Sequence, residues 1–244
     1  MLPRSLWAVF RLALIVIPAT ALAAPPVIGA HHAVISVATT EEAQQLQRTM
    51  TGKLGLPAAW PLAKYGARTS GGVFFGNFIV EIAVWPQVDS YQFLGLALEA
   101  PDMDAAFTEL RARGLGAKDR DASDRWRNGM ITQLAGEGLG IFLTQFNQAW
   151  SAPLMDAAKR QFAVSGGGPF GITGVTAIEI VANASRREAI EKTVAPARPE
   201  SLSPALRLVD GGRYQVRSLV VQCKEPEAAK AVLPAGMPLV FNRP

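Results

Sequence analysis

From residue 28 onward the chain spells one succession of elements twice. HHAVISVA (31–38) has the composition of a strand, and TTEEAQQLQRTMTGKLG (39–55) places apolar residues at helical spacing with Glu41 and Glu42 in its first turn. WPLAKY (60–65), GGVFFG (71–76) and NFIVEIAVW (77–85) then read as strands, the last two folded back around Gly76 and Asn77. The order is βαβββ. It restarts with the strand YQFLGLALEA (91–100), the helix PDMDAAFTELRARG (101–114) closed by Gly114, and two further strands in GMITQLAG and GLGIFLTQF, a period of about 60 residues. A repeat of this kind predicts a mixed α+β chain, because each copy must bury its apolar face against the next.

A short helical piece, PLMDAAKRQF (153–162), leads into the connector SGGGPFG (165–171), which marks a boundary. Beyond it ITGVTAIEIVANASRREAIEKTVAP supplies a strand and a helix, and ALRLV and RYQVRSLVVQC supply two more strands. This third copy is incomplete. KEPEAAKAVL (224–233) either starts a fourth unit or caps a sheet edge. The expected organisation is therefore a leader at 1–24, paired units at 28–150, a helix and connector at 151–170 and a partial third unit at 171–244.

The leader reading comes from MLPRSLWAVFRLALIVIPATALAA, where Arg4 and Arg11 precede an apolar run that is broken by Pro18 and closes on Ala21-Leu22-Ala23. Basic, apolar and small-residue regions in this order are those of a secretory signal peptide, and the apolar run is shorter than the roughly 20 residues of a membrane span. Cleavage after Ala23 or Ala24 predicts a periplasmic or secreted protein with no stable membrane anchor. It also removes Arg4 and Arg11, leaving 22 basic against 20 acidic residues. With charge near balance and no basic run, nucleic acid is not an expected partner. Cys223, the one cysteine, cannot form an internal disulfide and ends an apolar run, so it reads as a small buried hydrophobe.

Both histidines of the chain are adjacent, at 31 and 32. Strand alternation sends neighbouring side chains to opposite faces. His31, Ala33, Ile35 and Val37 form one row, suited to a helix-packed core, and His32 takes the opposite, more polar face. In FIVEIAV an apolar row of Phe78, Val80, Ile82 and Val84 likewise leaves Glu81 on the other side. An imidazole and a carboxylate suit Zn²⁺, Fe²⁺, Ni²⁺ or Mn²⁺.

HHAVISV, GLP, GGVFFGNFIVEI and LGLALEAPDMDAAFTELRARG together resemble the vicinal oxygen chelate superfamily of glyoxalase I, extradiol dioxygenases and the fosfomycin- and bleomycin-resistance proteins. The resemblance covers residues 28–148 well and 171–244 weakly. It implies a glyoxalase-like α+β fold, in which paired βαβββ units curl a mixed sheet into a cup. It also implies a divalent metal held by first-strand and last-strand side chains, with His32 and Glu81 at those positions here.

The second unit departs from the pattern, since Gly95 falls where His32 stands and Gln145 where Glu81 stands, and the third has Val175 at its first-strand position. Glu99 and Glu179 are expected at solvent-exposed sheet edges. Two protein ligands rarely hold a catalytic metal against water. Two function classes follow. One is a metal-dependent lyase, isomerase or dioxygenase acting on a small oxygenated compound through His32 and Glu81. The other is a small-molecule binding protein of the bleomycin-resistance type, with Trp60, Tyr65, Phe74 and Gln145 as ligand contacts and Trp85, Trp126 and Phe142 as further lining. Pairing of two identical chains is an alternative route to a complete cup.

Overall fold

A computed structural model describes residues 25–88, 90–136 and 138–244; the leader at 1–24 lies outside the described residues. The first unit comprises β1 (Gly29–Val37), α1 (Thr40–Arg48) with a wide π turn over Thr49–Lys53, β2 (Ala58–Tyr65), β3 (Arg68–Phe74) and β4 (Ile79–Val84). The second comprises β5 (Gln92–Glu99), α2 (Met103–Ala112), β6 (Ala117–Ala122), β7 (Trp126–Ile131) and β8 (Gly140–Phe146). Both helices start where a side chain satisfies free backbone N–H groups: Thr39 accepts from Glu42, and Asp102 accepts from Asp104 and Ala105.

The eight strands of the two units build one curled sheet in the order β2-β3-β4-β1-β5-β8-β7-β6. In each unit the last strand runs parallel to the first, and the units meet where β1 pairs antiparallel with β5. One face carries Ile35, Val80, Ile82 and Leu96 into an apolar layer with Leu46 of α1 and Leu110 of α2. The other face, free of helices over its middle, is the concave one.

Two elements differ from expectation. The strand β6 has the sequence AKDRDA, whose charges carry no strand signal; it is a sheet edge, where half the backbone and alternate side chains face water. After β8 a single helix, α3 (Gln148–Ser165), runs through Pro153, capped by Asn147 and ended at Gly166 with φ 61°. Proline signals a helix break, so sequence reading started this helix too late.

The remaining elements are β9 (Ile172–Val181), α4 (Ala184–Val194), β10 (Ala205–Val209), β11 (Gln215–Cys223), α5 (Pro226–Ala231) and β12 (Leu239–Asn242). They form a second sheet, β10-β9-β11-β12, in which β10 is parallel to β9, β12 is parallel to β11, and β9 and β11 are antiparallel. This repeats the centre of the large sheet with the two intervening strands of each unit removed. KEPEAAKAVL thus belongs to a fourth, reduced unit. Ile178 and Leu219 join the same apolar layer as the large sheet. Asn77, in the β3–β4 turn, also stitches the sheets together: its side chain donates to the Val175 carbonyl at 2.9 Å and accepts from the Val175 amide at 2.8 Å. Among the described residues no helix is long and apolar enough to cross a membrane.

Candidate functional site

His32 and Glu81 stand on the two central strands of the first unit, where the parallel register sets Val34 beside Glu81. The imidazole Nε2 lies 3.2 Å from Glu81 Oε2, and His32 is buried. Burial works against the charged form of Glu81. Hydrogen bonds from His32 and Ser70 and the positive charge of Arg68 prevail, and hold its carboxyl below the usual range.

His31 does not turn away. Between Ala30 and His32 the β1–β5 register slips by one residue, so that His31 and His32 both stand opposite Ala97. A bulge of this kind breaks alternation and brings two consecutive side chains to one side. The His31 ring packs on Phe146 at 4.6 Å, and its Nδ1 is 3.0 Å from His32 Nδ1. Burial, with the neighbouring charges of His32 and Lys159, pushes His31 down to about 3, so it is neutral near pH 7. A carboxylate only accepts, so the His32 proton sits on Nε2. In neutral His32 the Nδ1 atom then accepts from His31. The result is a chain of three groups, Glu81–His32–His31, with both His32 nitrogens engaged.

Above these groups the concave face holds a cavity of about 330 Å³. Trp60, Trp85, Trp126 and Trp150, all the tryptophans that follow the leader, line it. Trp150 comes from α3, which closes one side, and its ring stacks on Phe146 at 6.1 Å. Tyr65 lines the cavity as expected. Phe74 and Gln145 do not. Phe74 lies on the cup-facing side of β3, but the Trp60 ring crosses at Gly72 and α3 covers the residue, so Phe74 packs on Phe162 at 5.7 Å. The Gln145 side chain donates to the Pro101 carbonyl at 2.9 Å, outside the cavity. Thr144 was not singled out in the sequence, yet it lines the cavity almost fully buried with no partner for its Oγ1. Arg68 and Arg120, from opposite ends of the sheet, line it as well. The edge strand that hid β6 also hid Arg120.

No protein-family model and no curated protein matches the sequence. Solved structures do. A hypothetical protein from Staphylococcus aureus superposes with a TM-score of 0.55 at 12% identity, over 88% of this chain and 98% of that one. Homoprotocatechuate 2,3-dioxygenase from Arthrobacter globiformis superposes with a TM-score of 0.53 at 10% identity, over 88% and 70%. Both superpositions take in the curled eight-stranded sheet of this chain. The chain has a glyoxalase-like α+β fold. Coverage of 88% extends past the eight-stranded sheet, so the small second sheet belongs to the likeness.

The divalent metal that the sequence resemblance implies invites a test of the site. The pseudo-twofold between units pairs His32 with Ala97 and Val34 with Gly95, which makes Gly95 the counterpart of His32. In the second unit Ala97 sits beside Phe142 as Val34 sits beside Glu81, so Phe142, not Gln145, is the counterpart of Glu81. Neither is a ligand. A Cβ at Gly95 would lie 2.5 Å from the Gly140 carbonyl oxygen and 2.7 Å from Leu139 Cβ, so the loop before β8 already fills that place. Among the described residues no three His, Cys, Asp or Glu side chains converge to hold an ion. An ion could replace the proton between His32 and Glu81, but it would find no third protein ligand; the donor set does not fit a resident catalytic metal.

Proposed function

We propose that the protein binds one small oxygenated molecule in the cup and holds no metal of its own. The observation that carries this reading is the union of four tryptophans, the hydrogen-bonded His32–Glu81 pair and the unpartnered Thr144 hydroxyl on one cavity, while positions 95 and 142 provide no metal ligand. Apolar walls with a few converging polar groups are what small-molecule sites require. In this reading the protein works in the periplasm or outside the cell, which the Arg-flanked apolar segment at residues 1–24 supports.

One observation favours the second reading, a metal-dependent lyase or dioxygenase: His32 Nε2 and Glu81 Oε2 are 3.2 Å apart, a separation at which two ligands of one ion stand. Elemental analysis of the purified chain, before and after reconstitution with Zn²⁺, Fe²⁺, Ni²⁺ and Mn²⁺, separates the two. Substoichiometric metal in every case, together with tryptophan fluorescence that responds to a small ligand, is expected. One equivalent of a transition metal lost on Glu81→Gln would overturn the proposal in favour of the enzyme.

A further inference from the structure

The binding proposal leaves the kind of molecule open, and the cation arrangement around the cavity narrows it. Arg68 opens β3 and Arg120 lies on β6, so the two guanidinium groups approach one cavity from the two walls of the curled sheet. Each is laid on an aromatic ring: Arg68 over Trp85 at 5.2 Å and Arg120 over Phe142 at 5.3 Å. A guanidinium held over an aromatic ring keeps its edge N–H groups available for an anion, and the ring restricts its position before any ligand arrives.

The two carboxylates of the cavity match the two arginines in number but leave guanidinium donors unused. Glu81 is held by His32 and Ser70 and feels Arg68 only through space. Asp121 accepts from Asn128 at 2.6 Å and from Trp126 Nε1 at 3.3 Å, and reaches Arg120 only at 3.5 Å. Arg68 has no ion-pair partner within 4.0 Å among the described residues. Burial of the half-enclosed Arg120, with the like charge of Arg68, lowers its pKa against the opposing pull of Asp121 and Glu81. Two like charges at the wall of a partly dehydrated cavity are relieved by an anion that bridges them.

The other walls set the rest of the molecule. Flat indole faces favour a flat apolar body. The Thr144 Oγ1, buried and unpartnered, calls for one more polar atom on the ligand. A volume of about 330 Å³ is at the small end of ligand pockets, enough for one ring with short substituents and too little for a coenzyme.

Resting on the proposed ligand-binding role of the cup, we propose that its ligand class is a small organic acid with a flat, ring-sized apolar body and a hydroxyl or carbonyl substituent, its carboxylate bridging Arg68 and Arg120.

The test uses the purified chain and three isosteric probes, 4-hydroxybenzoate, 4-hydroxybenzamide and 4-hydroxybenzylamine, titrated by tryptophan fluorescence and by calorimetry. The acid is expected to bind at least about tenfold more tightly than the amide, with the amine weakest, and the preference to shrink as salt rises. Arg68→Gln and Arg120→Gln should each bring the acid down to the level of the amide, and Arg68→Lys should restore part of the preference; thermal melts of each variant establish that it is folded. Equal binding of acid and amide, a preference for the amine, or an acid preference that survives both glutamine variants overturns this inference while leaving the cup a binding site. No response to any probe at millimolar concentration overturns both.

Discussion

The Nδ1 atoms of His31 and His32 lie 3.0 Å apart although the residues are neighbours on one strand. Such an approach requires the bulge between Ala30 and His32, and it turns the second imidazole from a core residue into the far end of the Glu81–His32–His31 chain. Two adjacent imidazoles cannot both carry a proton on the shared edge, and burial keeps His31 neutral.

This arrangement predicts an acid-side loss of stability that one residue controls. The His31 pKa is lowered from 6.5 to about 3 in the folded chain. Between those values the unfolded chain binds more protons at this position than the folded chain does. Its contribution is therefore fully present above about 6.5 and is lost as pH falls toward 3, with a slope of at most roughly 1.4 kcal/mol per pH unit. Glu81, held below its ordinary value, acts in the same direction at lower pH. Urea unfolding from pH 7 to pH 4.5 should show the slope in the natural chain and a smaller one in His31→Gln. Parallel curves for the two proteins would refute the neutral assignment.

Breaking the pair itself should be felt in the fold. His32 is buried, and its hydrogen bond to a carboxylate belongs to the class worth about 1.5–3 kcal/mol. His32→Ala and Glu81→Gln should each lower stability by about that amount, and the double variant should lose less than the sum, with a coupling of about 1 kcal/mol or more. Strict additivity would mean that the 3.2 Å contact carries no net energy.

What was legible in the sequence was the regular part. The repeat, the facing of Phe78, Val80 and Ile82 into the apolar layer, and the approach of His32 to Glu81 follow from alternation and period, which physics imposes wherever strands pair without interruption. What was not legible depends on registers that no local pattern encodes. The bulge at His31 is set by pairing with β5. The correspondence of Phe142 with Glu81 is set by pairing of β8 with β5 and is invisible when two strands of different composition are laid side by side. Phe74 faced the correct side of its strand, but the Trp60 ring and α3 cut it off from the cavity.

Asn77 gives a prediction about the two sheets. Its amide both donates to and accepts from the Val175 backbone, replacing the partner that a strand would have supplied. Asn77→Ala should cost about 1–2 kcal/mol, and Asn77→Asp should also destabilise, because a carboxylate cannot donate to the Val175 carbonyl. Hydrogen exchange should show the loss in β9 before it reaches the centre of the large sheet. Unchanged protection of β9 in Asn77→Ala would argue that the apolar layer alone joins the sheets.

The last prediction concerns why the second unit cannot be repaired into a metal site at its first-strand position. Gly95 is the counterpart of His32, and adding a histidine there is the obvious attempt to supply a third ligand. The backbone prevents it. A Cβ at 95 would meet the Gly140 carbonyl at 2.5 Å and Leu139 Cβ at 2.7 Å, and Gly140 holds a φ of 65° that resists movement of this loop. Gly95→Ala should therefore destabilise by about 1–3 kcal/mol, the range for overpacking a filled interior, and Gly95→His by more. Because the added imidazole can enter only by displacing the loop before β8, Gly95→His should gain no stoichiometric Zn²⁺ or Ni²⁺ in a calorimetric titration. A variant that folded normally and bound one equivalent of either ion would show that the loop yields. The loss of a third ligand in this cup would then be a matter of one side chain rather than of the backbone that has closed over its place.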